Sequence, residues 1–349
     1  MKDLFKNIVP EERLSENYRI VMNSSLHEAA RRMLNEIFNS TKQIDKNFIE
    51  QFQTHGFDAR VWELYLTATF LSLDFNIIGI HDYPDFEIEK ENTKIFVEAT
   101  ISKNSNNKPI EDKLEIIKNT LHDKEKWMNM MNDLAEFSLI RMANSLFSKL
   151  NKRYWENEWV KGYPLILAIE PFHHALSLMI TDSMLPNYLY GIDQDWYYDD
   201  KGELIINTHI SEIITHKEKS IPAGFFNLPE ASNISAVIFS NSGTTAKFSR
   251  MGKLRGYAPD DIVIKRAGVC YSHESNASIP HPFEYTVGEN GPDETWEQGI
   301  SMFHNPQAKY PIDKELFPNI VHGYFDGQFY AYVPEFHPMN SQTFITKFV

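Results

Sequence analysis

A chain of 349 residues with 42% hydrophobic and 23% charged residues has the composition of a folded globular protein, so disorder over most of its length is not expected. A formal net charge of −14 argues against a protein that simply coats nucleic acid, because such proteins are usually basic. The lone Cys270 excludes an intrachain disulfide and a cysteine-based zinc site, and it favours a reducing, cytoplasmic location. The longest apolar runs, 65–73 and 163–169, are too short to span a bilayer, so we expect no membrane partner.

The first 56 residues are predicted to form a helical lead-in. Apolar residues recur at helical spacing over 23–38, and a second helix is predicted over 45–54, ending before Gly56. We treat residues 1–56 as an N-terminal helical segment.

The third predicted helix, 57–75, is apolar on nearly every face and should be buried. Glu63 lies in its middle, one turn from Arg60. A buried carboxylate is costly unless it is paired or binds a metal. Glu63 is therefore either a salt-bridged carboxylate or a residue of a functional site.

Three short strands are predicted next, at 77–80, 85–89 and 94–102, with a turn at 91–92 between the last two. If these two strands pair as a hairpin, Asp85 near the start of one lies close to Glu98 near the end of the other. Two carboxylates that face each other repel unless a cation lies between them. This pair is the first chemical signal in the sequence.

Residues 111–133 are charge-rich and predict a surface helix or lid, and 139–155 is the clearest amphipathic helix. The polar face of that helix contains no acid. It carries Arg141, Asn144, Ser145, Ser148, Lys149 and Lys152. This face is either a solvated surface or a binding surface for an anion. A buried strand over 163–169, ended by Glu170-Pro171, follows it.

Residues 181–349 are predicted to form a strand- and loop-rich C-terminal domain that packs on the core, because no flexible linker precedes them. A hairpin turn is expected at 200–202. The loop 240–245, followed by Lys247 and Arg250, is either a phosphate cradle or a plain transition out of a strand. The loop lacks the Walker glycine spacing, which favours the plain transition.

Pro84-Asp85, twelve intervening residues and then Glu98-Ala99-Thr100 resemble the motif of the PD-(D/E)XK nuclease superfamily. Glu63 on the preceding helix matches the third acid of that family, and the order of elements over 57–170 is also similar. The resemblance implies an α/β fold with a restriction-endonuclease-like core over 57–180, in which a helix, a mixed sheet and a second helix pack together.

One position departs from the family pattern, because Thr100 stands where the motif has its lysine. That lysine activates water and offsets phosphate charge. The basic helix is the expected source of a substitute, with Lys149 first and Lys152 or Arg141 next. Lys103 is expected to point to the opposite face of the strand, away from the acids.

The resemblance implies a metal-dependent nuclease that hydrolyses phosphodiester bonds, with DNA favoured over RNA. Asp85, Glu98 and the backbone carbonyl of Ala99 would bind Mg²⁺ or Mn²⁺, and Glu63 would bind a second ion or its waters. The polar helix face would hold the nucleic acid, through Arg141, Ser145, Ser148 and Lys152 beside the catalytic candidates Thr100 and Lys149.

Two other functional classes stay open. A nuclease fold without activity would serve as an interaction module that binds protein or ligand, and Thr100 and the net charge favour it. A glycoside hydrolase would also use paired carboxylates, but the helix-plus-hairpin setting argues against it. The family's habits imply a bacterial restriction or phage-defence system, with a protein partner or a homodimer.

Overall fold

The computed structural model describes residues 2–41, 45–79, 81–103, 113–120, 122–174 and 176–348. Within these ranges the chain forms eight α-helices, whose bounds are α1 Glu16–Asn23, α2 Glu28–Ser40, α3 Phe48–Gln53, α4 Phe57–Ser72, α5 Lys113–Thr120, α6 Lys124–Leu150, α7 Leu185–Tyr190 and α8 Thr245–Leu254. None of these helices is both long and apolar enough to cross a membrane.

The same ranges contain fifteen strands, whose bounds are β1 Asn76–Ile77, β2 Phe86–Lys90, β3 Thr93–Lys103, β4 Leu165–Phe172, β5 Ile192–Tyr198, β6 Leu204–Ile210, β7 Ile213–His216, β8 Lys219–Pro222, β9 Ala236–Ser240, β10 Ile262–Cys270, β11 His281–Thr286, β12 Ile300–His304, β13 Val321–Phe325, β14 Phe329–Tyr332 and β15 Pro338–Lys347.

Eight of the strands form one mixed sheet in the order β1-β2-β3-β4-β9-β12-β13-β14. The pairs β3–β4, β4–β9 and β12–β13 are parallel, and the other neighbours are antiparallel. A three-stranded sheet, β11-β10-β15, and the hairpins β5–β6 and β7–β8 lie outside it. The protein is therefore a mixed α/β protein with a large mixed sheet, and the strands β9 and β12 to β14 carry that sheet into the C-terminal half of the chain.

Helices cover both faces of the central strands. On β3, the residues Ile95, Val97 and Ala99 pack into the same core as Trp62 of α4. Phe96, between them, packs into a second core with Leu146 of α6. Because successive side chains of a strand point to opposite faces, α4 and α6 lie on opposite sides of the sheet. This arrangement lets one strand present groups to two helices.

The predicted hairpin over 85–102 is confirmed, since β2 and β3 pair antiparallel. Glu91 and Asn92 have φ values of 51° and 61°, the left-handed conformations that a two-residue turn between such strands requires. The strand predicted over 77–80 is shorter, because β1 covers only Asn76–Ile77 and Ile80 lies outside the described residues.

The predicted bounds of two N-terminal helices are wrong by several residues. The helix expected over 23–38 begins at Glu28, because Ser24 ends α1 and its hydroxyl accepts a hydrogen bond from the Leu26 N–H in a short 3₁₀ turn. The helix expected over 45–54 begins at Phe48.

The helix predicted over 139–155 is also wrong at both ends. Asp123 caps α6 by accepting a hydrogen bond of 3.0 Å from the Lys126 N–H, so the helix starts fifteen residues earlier than 139, at Lys124. The helix ends at Leu150. Arg153 has a left-handed φ of 52°, which is incompatible with a right-handed helix that continues to residue 155. Most of the predicted charge-rich segment 111–133 therefore belongs to α6 or α5, and residues 111, 112 and 121 lie outside the described ranges.

The strand predicted over 163–169 continues to Phe172, so Glu170 and Pro171 do not end it. Glu170 is completely buried. Beyond β9, the chain passes from the loop after Ser240 into α8, and the two cations that could have completed a phosphate cradle are not available. Lys247 and Arg250 are both buried and both bond to the carboxylate of Glu294, at 2.8 Å and 3.0 Å. The plain transition out of the strand is therefore the correct interpretation of this loop.

Candidate active site

Asp85 and Glu98 lie side by side at one end of the β2–β3 hairpin. Phe86 pairs with Val97 in this antiparallel ladder, so Asp85 and Glu98 are the next opposed positions. Oδ2 of Asp85 also accepts a hydrogen bond of 2.8 Å from the backbone N–H of Ala99. The register of the hairpin thus brings together the two carboxylates that strand alternation predicted to be close.

The Glu98 carboxylate is buried under the C-terminal end of α6. Only 4% of Glu98 is exposed, and its Oε1 accepts a hydrogen bond of 2.6 Å from the hydroxyl of Tyr154. Nζ of Lys149, in the last turn of α6, donates to the same oxygen. The positive charge of Lys149 also acts on Asp85. The structure therefore places Lys149 beside both acids.

Glu63 reaches the acids from α4, on the other side of the sheet. It forms an ion pair of 2.5 Å with Arg60, which also contacts Asp45 and donates a hydrogen bond of 2.7 Å to the side chain of Gln51. Burial raises the pKa of Glu63, Arg60 offsets part of that rise, and the negative charges of Asp45 and Glu98 add to it. Glu63 is therefore paired with Arg60 and also interacts with the charge of Glu98.

The environment of Asp85 disfavours its ionised form. Burial among surrounding protein atoms raises the pKa of Asp85 well above its usual range, and the charges of Glu63 and Glu98 raise it further. Lys149 and the Ala99 N–H act in the opposite direction. Asp85 still keeps an exposed surface, because it lines a cavity that opens to solvent. Because the negative charges of Glu63 and Glu98 both raise the pKa of Asp85, a cation beside the ionised Asp85 would be stabilising.

A polar cavity of about 790 Å³ joins α3, α4 and the start of β2. Its acidic lining includes Glu63 and Asp85, and its basic lining includes Arg60 and Lys103. Lys103 does face away from Glu98, as strand alternation requires. The expectation that it is turned away from all the acids is wrong, because α4 brings Glu63 to the same face of β3.

The donor set of the Asp85–Glu98 pair fits a hard divalent cation. Within the described ranges, no hydrogen-bond donor contacts Oδ1 of Asp85 or Oε2 of Glu98, so each carboxylate keeps one oxygen for a ligand. Carboxylate and carbonyl oxygens are the ligands that Mg²⁺ and Mn²⁺ prefer. The described part of the chain holds no group of three or more histidine, cysteine, aspartate or glutamate side chains arranged to bind a metal. A cation here would bind to two carboxylates and complete its coordination with water or backbone oxygens.

Comparison of the chain with protein-family models, curated protein sequences and solved structures gives no significant match. The chemistry of the site therefore has to be understood from its own residues.

The remaining predicted site residues lie apart from the acids or carry no charge. Thr100 shares the α6 side of β3 with Glu98 and is partly exposed. Ser148 is exposed on α6, and Lys152 is exposed two residues beyond its end. Arg141 lies eight residues before Lys149, about 12 Å along the helix axis at about 1.5 Å per residue.

Arg141 and Ser145 are bonded to each other within α6. The hydroxyl of Ser145 donates a hydrogen bond of 3.2 Å to the backbone carbonyl of Arg141. Partial burial lowers the pKa of Arg141 from its usual value. Arg141 and Ser145 therefore lie along α6, apart from the acids. The site itself is formed by Glu63, Asp85, Glu98 and Lys149.

Two contributors were not recognised in the sequence. One is Tyr154, whose hydroxyl donates a hydrogen bond to Glu98. The other is His173, which is buried between two hydroxyls, Ser102 on β3 at 3.1 Å and Ser138 on α6 at 2.8 Å. Tyr154 thus connects the turn after α6 to β3, and His173 connects β3 to α6. The only sequence signal is a polar atom at the edge of an apolar pattern, which does not identify a partner.

Proposed function

We propose that this chain is a metal-dependent nuclease, a phosphodiester hydrolase that acts on nucleic acid, with DNA favoured over RNA. The observation that carries the proposal is the meeting of Asp85, Glu98 and Lys149, which come from the start of β2, from β3 and from the end of α6. Adjacent carboxylates can hold a divalent cation, and a lysine beside them can stabilise charge on a phosphate. Lys149 would then do the work of the motif lysine that Thr100 replaces.

We also infer that α4, β1 to β4 and α6 form a restriction-endonuclease-like core. A helix bearing Glu63, three antiparallel strands, the helices α5 and α6 and then a parallel strand follow one another, which resembles the order of elements in that family. Residues before α4 would be a helical lead-in to this core, and the C-terminal half would be an extension that lengthens its sheet.

Asp85, Glu98 and the backbone carbonyl of Ala99 would hold Mg²⁺ or Mn²⁺, and Glu63 would bind a second ion or its waters. The bound ion would lower the pKa of a water molecule and offset the negative charge of the pentacovalent phosphorus. Glu63, whose pKa is raised by burial, is suited to accept the proton of the attacking water.

Lys149 has two roles in this proposal. Without a metal, its ammonium neutralises the buried Glu98. With Glu98 serving as a ligand of a cation, Lys149 would be free to donate to a non-bridging oxygen of the phosphate instead. Tyr154 keeps its hydrogen bond to Glu98 and fixes the orientation of the carboxylate throughout.

The test is cleavage of single- and double-stranded DNA and RNA with Mg²⁺ or Mn²⁺. Asp85→Asn and Glu98→Gln should each abolish cleavage and leave the circular dichroism spectrum unchanged, because each removes a charged metal ligand without changing shape. Glu89→Gln, a carboxylate on the same strand as the Asp85 motif, is the matched control and should keep full activity. The proposal fails if the wild type cuts none of these substrates, or if Glu89→Gln loses as much activity as Asp85→Asn.

A second candidate function is an inactive nuclease-fold module that binds protein or ligand. The specific observation in its favour is that Lys149 and Tyr154 already bond to one carboxylate oxygen of Glu98, while Thr100 supplies no charge. A magnesium titration followed by thermal unfolding separates the two, because a ligand that binds the native state raises its unfolding temperature. A module without a metal site would show no shift.

We further propose a cytoplasmic setting in a bacterial restriction or phage-defence system, alone, as a homodimer or with a protein partner. The lone Cys270 and the family resemblance support this setting.

A further inference from the structure

We propose that unpaired bases of a single-stranded nucleic acid stack on Tyr83 and Trp159, immediately beside Asp85. This inference rests on the proposed function and names its substrate class. It concerns an aromatic surface that contains none of the site residues named above.

The aromatic surface is built from three rings that hold one another in place. The rings of His81 and Trp159 are parallel, with centroids 4.6 Å apart and planes within 3°. Tyr83 lies 5.5 Å from Trp159 at an interplanar angle of 55°. Nε1 of Trp159 donates a hydrogen bond of 3.0 Å to the backbone carbonyl of Tyr83. Tyr83 is nevertheless 47% exposed, so this fixed platform presents aromatic surface to solvent.

The platform is continuous with the candidate active site. Tyr83 lies two residues before Asp85 in the chain. His81 and Asp82 line the same cavity as Asp85 and Glu63. A base stacked on this platform would therefore leave its phosphate next to the paired carboxylates.

A second aromatic group extends the platform across the hairpin. The carboxylate of Glu87 bonds to His81 at 3.2 Å and to Nζ of Lys94 at 2.6 Å. That ammonium lies 5.5 Å from the centroid of Tyr163, which is 40% exposed. Glu87 and Lys94 thus connect the platform to a second exposed aromatic side chain.

The charges near the site favour a single strand over a duplex. Affinity for duplex DNA depends strongly on cations that neutralise its phosphates. The net charge of the chain is −14, and two of the lysines near the platform and the acids, Lys94 and Lys149, are already paired with Glu87 and Glu98. Single strands can instead bind through stacking on aromatic side chains, which is worth about 1–3 kcal/mol per base. Bases inside a duplex cannot reach such a platform.

Binding is measured by fluorescence anisotropy with the full chain carrying Asp85→Asn, without divalent metal, so that nothing is cleaved. The probes are a short labelled single-stranded DNA, the RNA of the same sequence and the corresponding duplex. The single strands should bind more tightly than the duplex, and the DNA and RNA arms show which sugar is preferred. Adding Tyr83→Ala or Trp159→Ala should weaken single-strand binding about five- to 150-fold, the equivalent of one lost stack.

Two further variants guard against a simple loss of structure. Trp159→Phe keeps an aromatic ring, so it should bind single strands nearly as well but lose the part of the tryptophan quenching that binding causes. Tyr197→Ala removes a tyrosine of similar exposure, 52%, on the separate β5–β6 hairpin and should bind like its parent. Equal affinity for duplex and single strand, or equal effects of Tyr83→Ala and Tyr197→Ala, would overturn the inference.

Cleavage assays separate this inference from the proposed function. A wild-type chain that cuts duplex DNA, with Tyr83→Ala cutting equally well, would refute the platform and leave the nuclease proposal standing. A chain that binds single strands through Tyr83 and Trp159 but cuts nothing with Mg²⁺ or Mn²⁺ would support the platform and refute the hydrolase.

Discussion

Under the proposed nuclease function, Lys149→Met should change metal affinity and catalysis in opposite directions. In the free protein the Lys149 ammonium neutralises Glu98, next to Asp85. A divalent cation at these carboxylates has to displace or repel that ammonium. Removing the charge should therefore tighten Mg²⁺ binding while it lowers the rate of phosphodiester cleavage, because the cation that would contact the phosphate is gone.

The size of the effect follows from Coulomb's law and the exposure of the pair. A unit charge and a divalent ion about 5 Å apart interact by about 1.7 kcal/mol in water and by about twice that at an effective dielectric of about 40. The side chain of Lys149 is 24% exposed and that of Glu98 is 5% exposed, so we expect an interaction energy between these two values. Since the lysine can also swing into solvent, we expect about a tenfold gain in metal affinity and about a 10²-fold loss of rate.

Magnesium-dependent thermal unfolding and single-turnover cleavage measure the two quantities on the same protein. Lys152→Met is the matched control, since it removes an equal charge from an exposed position beyond the end of α6 and should leave metal affinity unchanged. A Lys149→Met variant that binds Mg²⁺ more weakly than the wild type, or that cleaves at the wild-type rate, would refute this account of the site.

Three predictions concern stability. Glu170 is fully buried, and burial raises its pKa well above the usual range. The free energy of unfolding should therefore fall by about 1.4 kcal/mol per pH unit above about pH 4.5, until the folded-state pKa is reached. In urea titrations, Glu170→Gln should flatten that slope. Burial lowers the pKa of His173 from 6.5 to about 4, so stability should decline between those values as pH falls, by about 3 kcal/mol, and His173→Gln should remove the decline. Glu294→Gln should cost about 3–5 kcal/mol in urea unfolding, because it leaves Lys247 and Arg250 buried without a carboxylate, and a loss below about 1 kcal/mol would contradict this.

The β2–β3 hairpin could be predicted from the sequence because its determinants are local. A period of two, a turn at Glu91-Asn92 and the positions of Asp85 and Glu98 define which residues oppose each other. The buried helix α4 was predictable for the same reason, since its apolar residues are contiguous in the chain. The proximity of the two carboxylates follows from these local features.

The surroundings of the acids depend on contacts between residues far apart in the chain. Lys149 was one of three candidates along a helix, and only the packing of α6 on β3 brings its ammonium, together with Tyr154, to Glu98. Lys103 was expected to be remote from the acids, because strand alternation describes one strand and not the helix that covers its other face. Glu170 was taken as the end of a strand, whereas the neighbouring strands and helices enclose it completely. Strand periodicity thus determines which residues share a face, and only tertiary packing determines which charge meets them there.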